Sequence, residues 1–278
     1  MDSTHITLDG VRLEVAHIPG PVDRAPLLFV HEGLGSVAMW PQRGRHWPAE
    51  LCAATGRAGV LYSRRGYGQS DPIADVRGPH HTDAPASELW PHGRHTPRYM
   101  HHEADAVLPG LRAALGLEQV VLVGHSDGAT IALLHAANHP CEAVVVMAPH
   151  LFVEPMTLAA IELARRAYLD TGPQSLRPKL ARFHADVDNA FWQWNDIWLN
   201  PAFAHYNITA ECSRITCPVL AVQGVQDAYG TLAQLERLQQ AAPQTRTLAL
   251  DHCGHSPHRD QPEALTTAVR DFLQTLTV

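Results

Sequence analysis

The stretch of residues 120–135, Val-Val-Leu-Val-Gly-His-Ser-Asp-Gly-Ala-Thr-Ile-Ala-Leu-Leu-His, constrains the fold more than any other part of the chain. Its four opening apolar residues predict a fully buried strand, and the apolar run over 129–137 predicts a helix. Between them, Gly124-His125-Ser126-Asp127-Gly128 must turn the chain sharply. A glycine two places either side of Ser126 leaves room for a strained turn and lifts the serine hydroxyl clear of the sheet. The plain alternative is a tight turn with no chemistry. Flanked by a strand before and a helix after, Ser126 is instead predicted to be a nucleophile.

The rest of the chain repeats the strand–helix alternation. Residues 6–15 alternate around Asp9-Gly10 and predict a hairpin. Short buried strands are predicted at 26–31, 59–62, 143–147, 217–224 and 245–250, with helices near 47–54, 99–115 and 261–276. Apolar strands alternating with helices predict an α/β fold with a mostly parallel central sheet flanked by helices.

The elbow at Ser126 resembles the nucleophile elbow of the α/β-hydrolase superfamily, and the resemblance extends over nearly the whole chain. His31-Glu-Gly-Leu-Gly-Ser36 is similar to the family's oxyanion loop, with Glu32 standing where the family usually has glycine. The resemblance implies an oxyanion hole made from the Asp127 amide and one from Gly33 or Leu34, the choice between these two staying open. Arg64-Arg-Gly-Tyr-Gly-Gln-Ser-Asp71 resembles a structural loop of the family, with Ser63 in place of the usual preceding aspartate. Gly224-Val-Gln-Asp227 falls at the position of the triad acid. Gly254-His255-Ser256 resembles the loop carrying the triad histidine, which favours His255 over its neighbours His252 and His258. The implied catalytic residues are Ser126, Asp227 and His255, in the family's chain order.

Residues 150–212 predict helices (157–170, 174–187 and 191–199) and no strand, and hold half of the chain's Phe, Trp and Tyr residues. This segment resembles the helical cap inserted in many family members, with residues 1–149 and 213–278 forming the core. Most of these aromatics are expected to pack the cap itself; Phe152, Trp194 and Trp198 are the expected substrate-binding ones.

The implied function is a serine hydrolase cleaving a carboxylic ester, lactone or thioester of a small, uncharged, partly apolar molecule, without a cofactor. Alternatives are a carbon–carbon bond hydrolase or lyase on the same scaffold, or a ligand-sensing receptor with slow turnover. The histidines of the loop at 72–98 (His80, His81, His92, His95) show no metal-ligand spacing, so no metal is expected. A net charge of −7 and the absence of a basic run argue against a nucleic-acid partner. No apolar stretch approaches a membrane span and no signal peptide is evident. Five scattered cysteines suit a reducing compartment, so a cytoplasmic location is expected. Asp127 and Glu32, the latter expected to pair with Arg64 or Arg65, flank the expected oxyanion hole. They predict faster hydrolysis of a neutral ester than of a half-ester carrying a free carboxylate.

Overall fold

The computed structural model describes residues 2–78, 90 and 92–276. The chain opens with an antiparallel hairpin of β1 (Ser3–Leu8) and β2 (Val11–Ile18). Its turn holds Asp9 and Gly10 both at positive φ, +47° and +81°, the turn whose twist matches the strands it joins. β3 (Leu27–Val30), α1 (Trp47–Thr55) and β4 (Gly59–Tyr62) follow. Next come α2 (Tyr99–His102), a π-helical turn (Glu103–Val107) and α3 (Leu108–Ala114), end to end. The sequence predicts one regular helix here. The π register enters where Pro109 has no N–H to offer, and the Leu108 amide reaches back to the Glu103 carbonyl.

β5 (Val121–His125), α4 (Asp127–Asn138) and β6 (Ala143–Met147) are followed by a purely helical segment. It contains α5 (Pro155–Leu169), α6 (Leu176–Leu180), α7 (Val187–Trp198), a 3₁₀ turn (Pro201–His205) and α8 (Thr209–Cys212). β7 (Val219–Gly224), α9 (Ala233–Ala241), β8 (Thr245–Leu250), α10 (Pro257–Asp260) and α11 (Pro262–Gln274) complete the chain.

The helix expected over 174–187 is much shorter than that. The chain leaves α6 because His184 is drawn onto the neighbouring loops, where its Nδ1 accepts from the Gly68 amide (3.0 Å) and its Nε2 donates to the Leu34 carbonyl (3.0 Å). The Ala185 amide also donates to the Gly68 carbonyl.

The eight strands form one sheet in the order β1-β2-β4-β3-β5-β6-β7-β8, antiparallel at β1–β2–β4 and parallel from β4 to β8. Alternate side chains feed two cores. Leu27 and Phe29 of β3 and Val121 and Val123 of β5 pack with Trp47 of α1 and Val269 and Phe272 of α11. Leu28, Val30 and Leu122 face the other way, toward α2, α3 and α4. Burial on both faces is why these strands read as unbroken apolar runs. Truncating one such leucine to alanine removes about 2–5 kcal/mol of stability.

All five cysteines are free thiols. Scattered in sequence, Cys141 and Cys217 nonetheless meet at the starts of adjacent strands, with Sγ atoms 3.4 Å apart. Among the described residues, no helix is long and apolar enough to cross a membrane.

Candidate active site

Ser126 sits between β5 and α4 at φ +54° and ψ −119°, a conformation an L-residue adopts only under strain of about 1–3 kcal/mol. The turn is over-determined. The Ser126 amide donates to the Met147 carbonyl (2.9 Å), and its own carbonyl accepts from the amides of Ala129 (2.9 Å) and Thr130 (3.1 Å). Both flanking glycines are required by close approach: a Cβ on Gly124 would meet the Gly128 carbonyl, and one on Gly128 would meet the Val30 carbonyl of β3.

The structure brings Ser126, His255 and Asp227 together. Asp227 follows β7, and His255 lies between β8 and α10. His255 Nε2 is 2.9 Å from Ser126 Oγ, and His255 Nδ1 is 2.9 Å from both carboxylate oxygens of Asp227. Since a carboxylate only accepts, Nδ1 carries the proton and Nε2 presents its lone pair to the serine hydroxyl. Asp227 also accepts from the Tyr229 amide (2.8 Å). Burial pushes its carboxyl up, but the His255 hydrogen bond and charge outweigh that and hold it below the ordinary carboxylate range. The Tyr229 ring packs 4.6 Å from the imidazole, and the His255 carbonyl accepts from His125 Nε2 (2.7 Å). His252 lies exposed on the same loop at φ +54°. His258 points elsewhere, buried against Trp40 and His125.

The peptide between Glu32 and Gly33 is held in one orientation. The Glu32 carbonyl accepts from His31 Nδ1 (2.7 Å), Arg64 Nη2 (3.0 Å) and the Gly35 amide (3.0 Å). A trans peptide sets its N–H opposite its C=O, so the Gly33 amide faces away from these donors. The His31 tautomer is fixed by the same network, because its Nε2 accepts from the Arg64 amide (3.0 Å). The Ser63 hydroxyl, standing where an aspartate was expected, donates to the buried Glu14 carboxylate (2.6 Å) and accepts from the Val37 amide (2.9 Å).

Glu32 does not pair with Arg64 or Arg65 as expected. Its carboxylate binds Arg259 of α10 (2.9 Å) and lies 3.3 Å from His125 Nδ1. Burial raises this group, but Arg259 and His125 together hold it well below the ordinary range. Asp127 is buried at 1% exposure, accepting from Tyr99 Oη (2.7 Å) and Trp198 Nε1 (3.2 Å), with Arg64 at 3.9 Å. Burial raises its carboxyl above the usual range despite Arg64. One carboxylate is neutralised and the other is turned into the interior. The expected discrimination against a half-ester therefore loses its physical basis.

Of the three aromatics expected at the substrate, two pack at the site. The Trp194 indole lies directly on Gly33, where a Cβ would collide with it. Trp198 bonds Asp127, and its ring stands 5.0 Å from His150, edge to face. The third, Phe152, lies on the segment leading out of β6. Its backbone pairs with Asn207 and Gln234, and its ring is covered by the Arg237 guanidinium of α9 at 5.5 Å. His150, two residues earlier, instead faces Ser126.

His150 is the site residue that sequence reasoning missed. Its Nε2 lies 3.4 Å from Ser126 Oγ, and its ring is 5.7 Å from His255. The available signal was position alone: it follows the C-terminal end of a parallel strand, where α/β sheets place their ligands.

Of the loop histidines, His80 and His81 lie outside the described residues. His95 bonds Gln193 (3.0 Å) and stacks on Tyr99. Among the described residues, no three His, Cys, Asp or Glu side chains are grouped as metal ligands.

The buried imidazoles make stability pH-dependent. His31, His135, His150 and His258 are at most 3% exposed, and burial lowers each of them, His135 to about 4 and His150 to about 3. Unfolded, each titrates near 6.5. Below that value the unfolded chain binds protons that the folded chain refuses. Stability is therefore full above about 6.5 and falls with pH, by up to about 1.4 kcal/mol per unit per ring. Asp127 and Glu103, both raised by burial, act with the opposite sign but are fewer. Urea unfolding should show a clearly lower midpoint at pH 5.5 than at pH 7.5; equal midpoints would contradict this reading.

A family model described as the alpha/beta hydrolase family matches residues 27–268, and the chain belongs to that family. It is similar to a proline iminopeptidase of Heyndrickxia coagulans, 23% identical, covering 90% of this chain and 91% of that protein. Among solved structures it resembles a thermophilic esterase from Thermogutta terrifontis (19% identity, TM-score 0.72, 100% of both chains). It also resembles the enol-lactonase of Burkholderia xenovorans LB400 (19% identity, TM-score 0.71, 98% of this chain and 100% of that one). At this identity the two structures establish the shared fold.

Proposed function

We propose that this hydrolase cleaves a carboxylic ester, a lactone or thioester being a near variant, through Ser126, His255 and Asp227. One observation carries the reading: an unbroken Asp227–His255–Ser126 hydrogen-bond chain with 2.9 Å links, ending on a serine held in a strained turn. His255 takes the Ser126 proton as Oγ attacks the carbonyl, then delivers it to the departing alkoxide. Asp227 keeps Nδ1 protonated and stabilises the imidazolium. The oxyanion rests on the Asp127 and Gly33 amides, each donor contributing about 3 kcal/mol. Water, deprotonated by His255, then attacks the acyl-enzyme and releases Ser126. In this reading the helical segment 150–212 is a cap, and Trp194 and Trp198 give the acyl side an apolar boundary.

The iminopeptidase relative raises an aminopeptidase reading, which would need a carboxylate to receive a protonated substrate amine. Glu32 and Asp227 are committed to Arg259 and His255, and Asp127 is buried beneath the site. The geometry supports the neutral substrate better. A panel of short-chain esters, lactones, acyl thioesters and prolyl amides, run against a Ser126→Ala blank with and without chelator, tests this. Esters or lactones should turn over repeatedly and without added metal. Faster turnover of the prolyl amide would overturn the ester reading, and a single acylation without turnover would favour a sensor.

A further inference from the structure

Two imidazoles, not one, reach the proposed nucleophile. His150 Nε2 stands 3.4 Å from Ser126 Oγ, in addition to His255 Nε2 at 2.9 Å. His150 is 2% exposed and rigidly held: its amide and carbonyl both bond Thr130 Oγ1 (3.0 Å each), and the edge of Trp198 packs against its ring. Its Nδ1 is buried with no partner among the described residues.

The chemistry of the three groups fixes their protons. His255 donates its Nδ1–H to Asp227, so the single Ser126 hydroxyl proton is donated to the bare His255 Nε2. Ser126 Oγ then has only lone pairs to offer His150. If the His150 proton were on Nδ1, two lone pairs would face each other across 3.4 Å, and a donor would be buried unpaired. With the proton on Nε2, His150 donates to Oγ and only an acceptor is left without a partner. Burial and the nearby His255 keep the ring neutral, lowering it to about 3, so a second proton does not alter this assignment near neutral pH.

Resting on the triad reading above, we infer that His150 is a further catalytic residue, an Nε2–H donor to Ser126 Oγ that stabilises charge on that oxygen without transferring its own proton. In acylation, the Oγ–carbon bond forms as the Oγ proton passes to His255 Nε2 and the carbonyl opens to the oxyanion. The carbonyl re-forms as the bond to the leaving alkoxide breaks, and His255 gives that alkoxide its proton. In deacylation, water gives a proton to His255 and attacks, the Oγ–carbon bond breaks, and His255 returns the proton to Oγ. Negative charge is on Oγ at both proton transfers, and a preorganised neutral donor aimed at it lowers both barriers. The same donor prevents His150 from competing with His255 for the serine proton.

Nitrogen-15 NMR of histidine-labelled protein reads the tautomer directly, with His150→Gln assigning the signal. Nε2 should be protonated and Nδ1 bare at pH 7.5; the reverse tautomer would overturn the inference. Kinetics on a short-chain ester supplies the second arm. His150→Phe should lower kcat by roughly 10- to 100-fold with little change in KM, whereas His150→Gln, which keeps an N–H donor, should recover most of that loss. A His150→Phe enzyme as fast as wild type would remove the donor role. A glutamine variant no better than phenylalanine would show that shape alone matters. Ser126→Ala run alongside separates the two claims: if it retains wild-type turnover, the triad reading itself fails.

Discussion

Replacing Ser126 with alanine is expected to lower ester turnover by about 10³- to 10⁶-fold while leaving the protein folded. The loss is large because His255 and Asp227 have nothing to activate once Oγ is gone. The residual rate is that of substrate held near the oxyanion-hole amides. Stability should change little, since alanine keeps the Cβ and the backbone bonds to Met147, Ala129 and Thr130 that define the turn. His255→Ala should be about as severe, because residues acting as a unit do not contribute additively. Steady-state kinetics with thermal melting of each variant reads both quantities. Either variant at wild-type speed would contradict the assignment, and a comparable loss in His252→Ala would reopen the choice of histidine.

The largest expected effect on stability is at Arg64. Its guanidinium is 3% exposed, donates to the Glu32 carbonyl, stacks on Tyr67 at 4.7 Å, and is the cation nearest the buried Asp127. Burial pushes the Asp127 and Glu103 carboxyls up, and the Arg64 charge is the largest influence opposing that rise in both. Arg64→Met keeps much of the volume but leaves the buried Asp127 without its nearest cation, which should cost about 3–5 kcal/mol by urea unfolding. Asp127→Asn should be milder, because the amide oxygen still accepts from Tyr99. The double variant should be more stable than the sum of the single losses implies, by about 1 kcal/mol or more. A loss below about 1 kcal/mol in Arg64→Met would show that the buried carboxylate does not depend on this cation.

The elements that were legible in the sequence are those with short-range causes. The sheet strands buried on both faces read as continuous apolar runs, the Asp9-Gly10 turn has residues that accept positive φ, and the glycines around Ser126 are demanded by close backbone approach. The juxtaposition of Ser126, Asp227 and His255 was anticipated from family order, not from local chemistry. What stayed hidden depends on partners distant in the chain. Glu32 reaches Arg259, not the nearer Arg64 or Arg65, because the Arg64 side chain goes to the Glu32 backbone. His184 ends the helix expected over 174–187 by bonding loops more than a hundred residues away in sequence. His150 carries no motif, and only the turn after β6 aims it at Ser126.

The central claim, that Ser126 is the activated nucleophile, is tested most directly by chemical trapping. The protein would be treated with a reactive phosphonate ester at pH 7.5 and its peptides mapped by mass spectrometry. The account expects one adduct per chain, on Ser126, formed slowly or not at all in His255→Ala. Stable ester turnover with no adduct on Ser126, or an adduct on another residue that abolishes activity, would contradict it.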